Sequence, residues 1–108
     1  EKKVKREDYA IKGLSLYAAT KGALEAFSKN VAREWGARGI RSNCIACGFM
    51  ETDMSARLDA DTRERIHRRN ALPGPVDPAS VAATVGHLLS ENAAAITGQS
   101  LRIDNGAG

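Results

Sequence analysis

The chain has 108 residues, 43% of them hydrophobic, 27% charged and 5% aromatic, with a formal net charge of +3. No apolar run approaches the ~20 residues that span a bilayer and no signal-peptide pattern is present, so a membrane span and secretion are not expected and a cytoplasmic location is. The positive excess is local, since residues 1–21 hold six Lys/Arg against three Asp/Glu and the remainder ten against ten, so no nucleic-acid surface is expected.

Residues 1–14 are charged, with Lys2, Lys3, Lys5 and Arg6 expected in a solvated loop and Gly13 expected to break the chain before a helix. That helix is read from Ser15, as a cap, to Gly39. Leu24, Phe27, Val31 and Trp35, spaced three, four and four apart, define one apolar stripe expected to reach the core. Ala18, Ala19, Ala23 and Ala26 leave the rest of the surface small enough for a sheet or another helix to approach. Gly36 and Gly39 end the helix, and Arg33 and Arg38 lie near its carboxyl end, where they suit the helix dipole.

Ile40 to Ala46 reads as a buried strand whose exit, Cys47-Gly48-Phe49, lies where open α/β sheets bind ligands. Cys44 and Cys47 are expected as two thiols in that strand and the turn after it. With no second ligand pair and no thioredoxin-like helix start, neither a metal site nor a redox pair is expected. Thr52 stands where it can cap a helix beginning near Asp53. Met54 to Pro75 is polar and arginine-rich, an exposed helical segment broken by Leu72-Pro73-Gly74-Pro75. Asp77-Pro78 opens a further helix with Val81, Val85, Leu88 and Leu89 on its apolar face. Gln99 to Ile103 alternates as a final strand, and Asp104-Asn105-Gly106 follows as a turn in which Asn105 suits a left-handed backbone.

Tyr17 and Lys21 are the residues with chemistry to offer. Four apart on one helix, they project from one face. A positive charge about 6 Å from a phenol, at an effective dielectric of about 20, favours the phenolate by roughly 2 to 3 kcal/mol, which makes the tyrosine a general acid or base near neutral pH. A Tyr and a Lys at this spacing also occur as an ordinary helix-surface pair.

The order of motifs separates these alternatives. Tyr17-Ala18-Ala19-Thr20-Lys21, Gly22-Ala23-Leu24, Phe27-Ser28-Lys29, Gly39-Ile40-Arg41-Ser42-Asn43, Gly48-Phe49-Met50-Glu51-Thr52-Asp53-Met54, Ile96-Thr97-Gly98-Gln99 and Asp104-Asn105-Gly106 succeed one another. This succession resembles the carboxy-terminal part of the short-chain dehydrogenase/reductase family, closest to its 3-oxoacyl-(acyl carrier protein) reductase branch, from about Gly13 onward.

The resemblance implies an α/β fold: residues 1–108 as the carboxy-terminal portion of one Rossmann-like doubly wound parallel sheet, with the amino-terminal cofactor-binding half absent. It implies hydride transfer between NADP or NAD, NADP ahead, and a carbonyl or alcohol, with a 3-oxoacyl thioester as substrate. Tyr17 and Lys21 would be catalytic, and Tyr17, Lys21, Gly48, Met50 and Thr52 would bind the cofactor. A homodimer or homotetramer packed through the long helix is implied, and Arg33 and Arg38 are candidates to meet an acidic acyl carrier protein. In the family a serine lies about a dozen residues before the tyrosine; here no Ser or Thr precedes Ser15, and Cys47 stands where the family usually has proline. No Gly-x-Gly-x-x-Gly segment occurs in the 108 residues, so they are expected to be inactive alone. The alternative is a truncated, non-catalytic remnant or dimerisation module of the same family.

Overall fold

The computed structural model describes residues 2–48, 50 and 58–107, and for residues 2–14 and Tyr17 the backbone alone. Helix α1 runs Lys2–Trp35, 34 residues, or about 51 Å at 1.5 Å per residue. It accounts for most of the 55 Å long axis of the molecule. The radius of gyration of 17.1 Å exceeds the ~13 Å of a compact chain of this length because α1 extends past everything it packs on.

The helix begins earlier than the sequence suggests. Residues 2–14 continue it instead of forming a loop, Gly13 does not break it, and Ser15 lies in its interior, not at its start. One glycine in a helix interior costs only about 1 kcal/mol relative to alanine, and the surrounding Lys, Arg, Glu and Ala are good helix formers. The other end matches expectation. A 3₁₀ turn, Gly36–Arg38, follows Trp35, and Gly39 at φ 79° donates its N–H to the Gly36 carbonyl. The Arg38 guanidinium stacks 5.1 Å over the Trp35 ring.

Strands β1, Cys44–Cys47, and β2, Ser100–Ile103, form a parallel pair in the register Cys44↔Ser100 to Cys47↔Ile103. Parallel neighbours need a long connection, and two helices supply it: α2, Ala60–Arg69, and α3, Pro78–Leu89. The α2 helix is capped by Asp59, whose carboxylate accepts the Thr62 N–H at 2.7 Å. Asp77 caps α3 through the Ala79 N–H, with Pro78 in the first turn, as the sequence predicts. Between the helices, Asn70 and Asn105 both donate side-chain N–H groups to the Gly74 carbonyl at 3.1 Å. Asn105 adopts φ 54°, the left-handed backbone expected of it, and its carbonyl accepts the Leu72 N–H.

Strand β1 is shorter than expected, because residues 40–43 are not extended into the ladder. Their polar groups are used otherwise. The Arg41 guanidinium donates to the carbonyls of Ile96 and Ser90. The Asn43 side chain donates to the Ile96 carbonyl at 3.0 Å and accepts the Gln99 N–H at 3.1 Å. Residues 41–43 are thus stitched sideways to the loop that leads into β2.

Among the described residues the buried apolar set is small: Ala32, Val76, Leu88 and Ala93, joined by the polar Ser28 and Asn70. Of the expected stripe on α1 only Val31 is half-buried, while Leu24, Phe27 and Trp35 are 62%, 66% and 38% exposed. Apolar residues are spread around α1 instead of confined to one side, so close approach to the sheet falls to small side chains. Ser28 and Ala32, each 7% exposed, occupy it, with the Ala32 methyl facing Gly98, where an added Cβ would stand 3.6 Å from it. On α3, Leu88 is buried while Val85 and Leu89 are exposed. Both thiols are free and both lie within β1, Cys44 half-buried and Cys47 exposed, so Cys47 ends the strand and is not in the turn. No helix among the described residues is long and apolar enough to cross a membrane.

Candidate active site

One face of α1 and the whole length of β1, with the residues just before and after the strand, line an open cavity of about 680 Å³. Lys21, Leu24, Phe27 and Ser28 line it from the helix; Ser42, Asn43 and β1 form the facing wall, and Gly48 and Met50 stand at its end. Of the residues singled out by sequence, the structure therefore brings Lys21, Gly48 and Met50 to one space. Tyr17 lies one turn before Lys21 on the continuous helix, about 6 Å along the axis and about 40° around it; its side chain lies outside the described residues. Thr52 also lies outside the described residues, as does the start of the helix expected near Asp53.

Gly48 has its own structural reason to be glycine. A Cβ there would lie 2.6 Å from the Asp104 Cα and 3.2 Å from a Val76 methyl, while the Gly48 N–H donates to the Ile103 carbonyl at 2.8 Å. The close approach is to the segment after β2, so Gly48 lets the end of β1 lie flush on that segment. Lys21 also borders a second, smaller cavity with Glu25, Cys47, Arg102 and Asp104, where Arg102 pairs with Asp104 at 3.0 Å.

Sequence reasoning missed the residues that hold the facing wall in place. Ser42 donates its N–H to the Thr97 hydroxyl at 3.1 Å and accepts the Gly98 N–H at 2.7 Å. Its hydroxyl meets that of Ser28 at 2.7 Å. The available signal was three consecutive polar residues, Arg41-Ser42-Asn43, inside an otherwise apolar run. The Thr62 N–H and hydroxyl hold the Asp59 carboxyl below its ordinary value, as part of the α2 cap. Among the described residues no group of three or more His, Cys, Asp or Glu is placed to hold a metal ion.

The cavity is within the size range of small-molecule and cofactor sites, and it has the usual mixture of apolar wall and few polar groups. Leu24, Phe27 and Met50 offer apolar surface to a ring and Lys21 a cationic group, whereas the side-chain polar groups of Ser28, Ser42 and Asn43 are engaged with one another and with the loop before β2.

A parallel pair joined through helices, with a ligand-sized cavity between the long helix and the sheet, makes this an α/β protein. A family model described as Enoyl-(Acyl carrier protein) reductase matches residues 5–108. The chain is 42% identical over 94 residues to a probable short-chain type dehydrogenase/reductase of Bradyrhizobium diazoefficiens, covering 86% of this chain and 34% of that protein. It is 40% identical over 94 residues to the 3-oxoacyl-[acyl-carrier-protein] reductase of Escherichia coli, covering 87% and 38%. A solved 3-oxoacyl-[acyl-carrier protein] reductase from Brucella melitensis superposes with a TM-score of 0.80 at 32% identity, covering 83% of this chain and 34% of that one. A 4-hydroxyisoleucine dehydrogenase complexed with NADH gives 0.79 at 28% identity, covering 86% and 39%. The chain belongs to the short-chain dehydrogenase/reductase family and matches its carboxy-terminal part. It spans little more than a third of the length of these relatives.

Proposed function

We propose that this chain forms the catalytic side of an NAD(P)-dependent reductase acting on a 3-oxoacyl thioester. The observation that carries the reading is the meeting of Lys21, Gly48 and Met50 around one cavity between α1 and β1, with Tyr17 one helical turn from Lys21. A bound nicotinamide supplies the hydride. The protein's own part is acid–base chemistry and positioning. The Tyr17 phenol donates a proton to the substrate oxygen as the carbonyl carbon is reduced, and the Lys21 ammonium favours the phenolate left behind. Leu24, Phe27 and Met50 give the ring an apolar wall, while Lys21 and Thr52 bind the ribose and amide of the cofactor.

Identities of 37–40% to 3-oxoacyl reductases support the thioester class. The same reading includes association through α1 in a homodimer or homotetramer, and Arg33 and Arg38 suit an acidic acyl carrier protein. The test uses the protein as the cell makes it, with NADPH or NADH and either a 3-oxoacyl or a 2-enoyl thioester. The reading expects consumption of the reduced cofactor with the 3-oxoacyl compound and formation of a 3-hydroxyacyl product. Turnover of the enoyl compound alone contradicts the substrate class, and failure to bind either cofactor contradicts the enzyme in favour of a non-catalytic module.

A further inference from the structure

The two described α1 residues buried against the sheet are a serine and an alanine, each 7% exposed. The Ala32 methyl faces Gly98, where an added Cβ would stand 3.6 Å from it; such packing is non-directional and lets a helix rotate or slide at little cost. The contact at Ser28 is directional. Its hydroxyl lies 2.7 Å from that of Ser42, a distance that tolerates a few tenths of an ångström.

Ser42 is itself fixed. Thr97 and Gly98 hold its N–H and carbonyl, the Asn43 side chain holds Ile96 and Gln99, and the Cys44 N–H donates to the Gln99 carbonyl at 2.8 Å. The hydroxyl pair therefore ties the helix to a backbone segment braced along its length.

Ser28 follows Lys21 by seven residues, about 10.5 Å along the helix and only about 20° around it. Both line the same cavity. A rotation of α1 by about 10° moves a side-chain tip about 7 Å off the axis by roughly 1.2 Å, and displacements of about 1 Å cost catalytic groups on the order of 100-fold.

We propose that the Ser28–Ser42 hydroxyl pair is a positioning element that sets the rotation of α1 against β1, and with it the place of the Lys21 ammonium in the cavity. The effect on rate rests on the catalytic reading of Lys21 given above; the effect on position does not. The experiment compares Ser28→Ala, Ser42→Ala, the double variant and Ser28→Thr, which keeps a hydroxyl, in the protein as the cell makes it. Position is read without cofactor, as the rate of Lys21 labelling by an amine-reactive reagent relative to exposed Lys29, by peptide mass spectrometry. Chemistry is read as single-turnover reduction.

Each alanine variant is expected to change relative Lys21 labelling at least threefold and to slow single turnover 10- to 100-fold, with substrate KM within twofold. The double variant is expected to be no worse than either single one, and Ser28→Thr to recover to within threefold of wild type. If Ser28→Ala does not fold, Ser42→Ala removes the same bond and carries the same expectation. Labelling within twofold of wild type in both alanine variants, or losses that multiply in the double variant, overturns the proposal. Altered labelling in a protein whose Tyr17→Phe variant turns over normally leaves the positioning role standing and removes the proposed chemistry.

Discussion

Replacing Gly48 by alanine tests how tightly the end of β1 is seated. The new Cβ would stand 2.6 Å from the Asp104 Cα, 2.8 Å from its Cβ and 3.2 Å from a Val76 methyl, where carbon atoms prefer 3.5–4.0 Å. Two of the three obstacles belong to Asp104, one of them backbone, and the third belongs to a side chain only 2% exposed. No flexible tip can yield, so the strand end must lift by about 1 Å. Overpacking of this kind costs about 1–3 kcal/mol. Lifting also weakens the Gly48 N–H to Ile103 bond of 2.8 Å, worth about 1 kcal/mol. The sum is about 2–4 kcal/mol, which at an m-value of ~2 kcal/mol per M moves the urea midpoint down by about 1–2 M. Gly22, in α1, is the internal control, because a Cβ there meets nothing within 4 Å and Gly22→Ala should stabilise by about 0.5–1 kcal/mol. A Gly48→Ala midpoint within about 0.25 M of wild type would refute the packing argument.

Three further outcomes are expected. Asp77→Ala removes the acceptor for the Ala79 N–H and should cost about 1 kcal/mol, with Asp77→Asn or Asp77→Ser close to wild type; equal losses in all three in urea unfolding would show that the cap is not the cause. Asp59 has its folded pKa lowered by the Thr62 N–H and hydroxyl, so its contribution to α2 is complete at neutral pH and is lost as pH falls through that lowered value. Asp59→Asn, which still caps but does not titrate there, should lose less of its 222 nm circular dichroism on acidification; identical acid profiles would contradict this. Exposed Cys47 should react with iodoacetamide at least several-fold faster than half-buried Cys44, and mild oxidation should give no internal disulfide. Three residues apart on one strand, their Cα atoms are about 10 Å apart, beyond the ~7 Å a disulfide bridges; recovery of a Cys44–Cys47 bridge would count against the strand.

Much of this architecture is legible in the sequence because local chemistry dictates it. Asp77-Pro78 starts a helix, Gly39 ends one, Asn105 accepts a left-handed turn, and Ser100 to Ile103 forms a strand one residue shorter than expected, each for reasons that act within a few residues. The start of α1 is not legible, since Gly13 and the charges before it suit a loop and a helix almost equally. The buried face of α1 is misread because size was taken as the guide. Leu24 and Phe27 carry the apolar area, but Ser28 and Ala32 are small enough to let the helix touch the sheet. Strand β1 is overextended because Arg41, Ser42 and Asn43 bond to partners some fifty residues away, which no local pattern announces. In the candidate site, the Tyr17/Lys21 spacing and Gly48 are visible from motif order, whereas the Ser28–Ser42 contact, fourteen residues apart, exists only once helix and sheet are packed.

The most direct measurement follows a labelled hydrogen. The protein as the cell makes it is given the reduced cofactor deuterated at the nicotinamide C4 position and a 3-oxoacyl thioester, and the product is weighed by mass spectrometry in wild type and in Tyr17→Phe. The account predicts one deuterium on the new hydroxyl-bearing carbon in wild type, with a single-turnover rate at least about 100-fold lower in Tyr17→Phe while cofactor binding is kept. An unlabelled product, or a Tyr17→Phe rate within a few-fold of wild type, would contradict it.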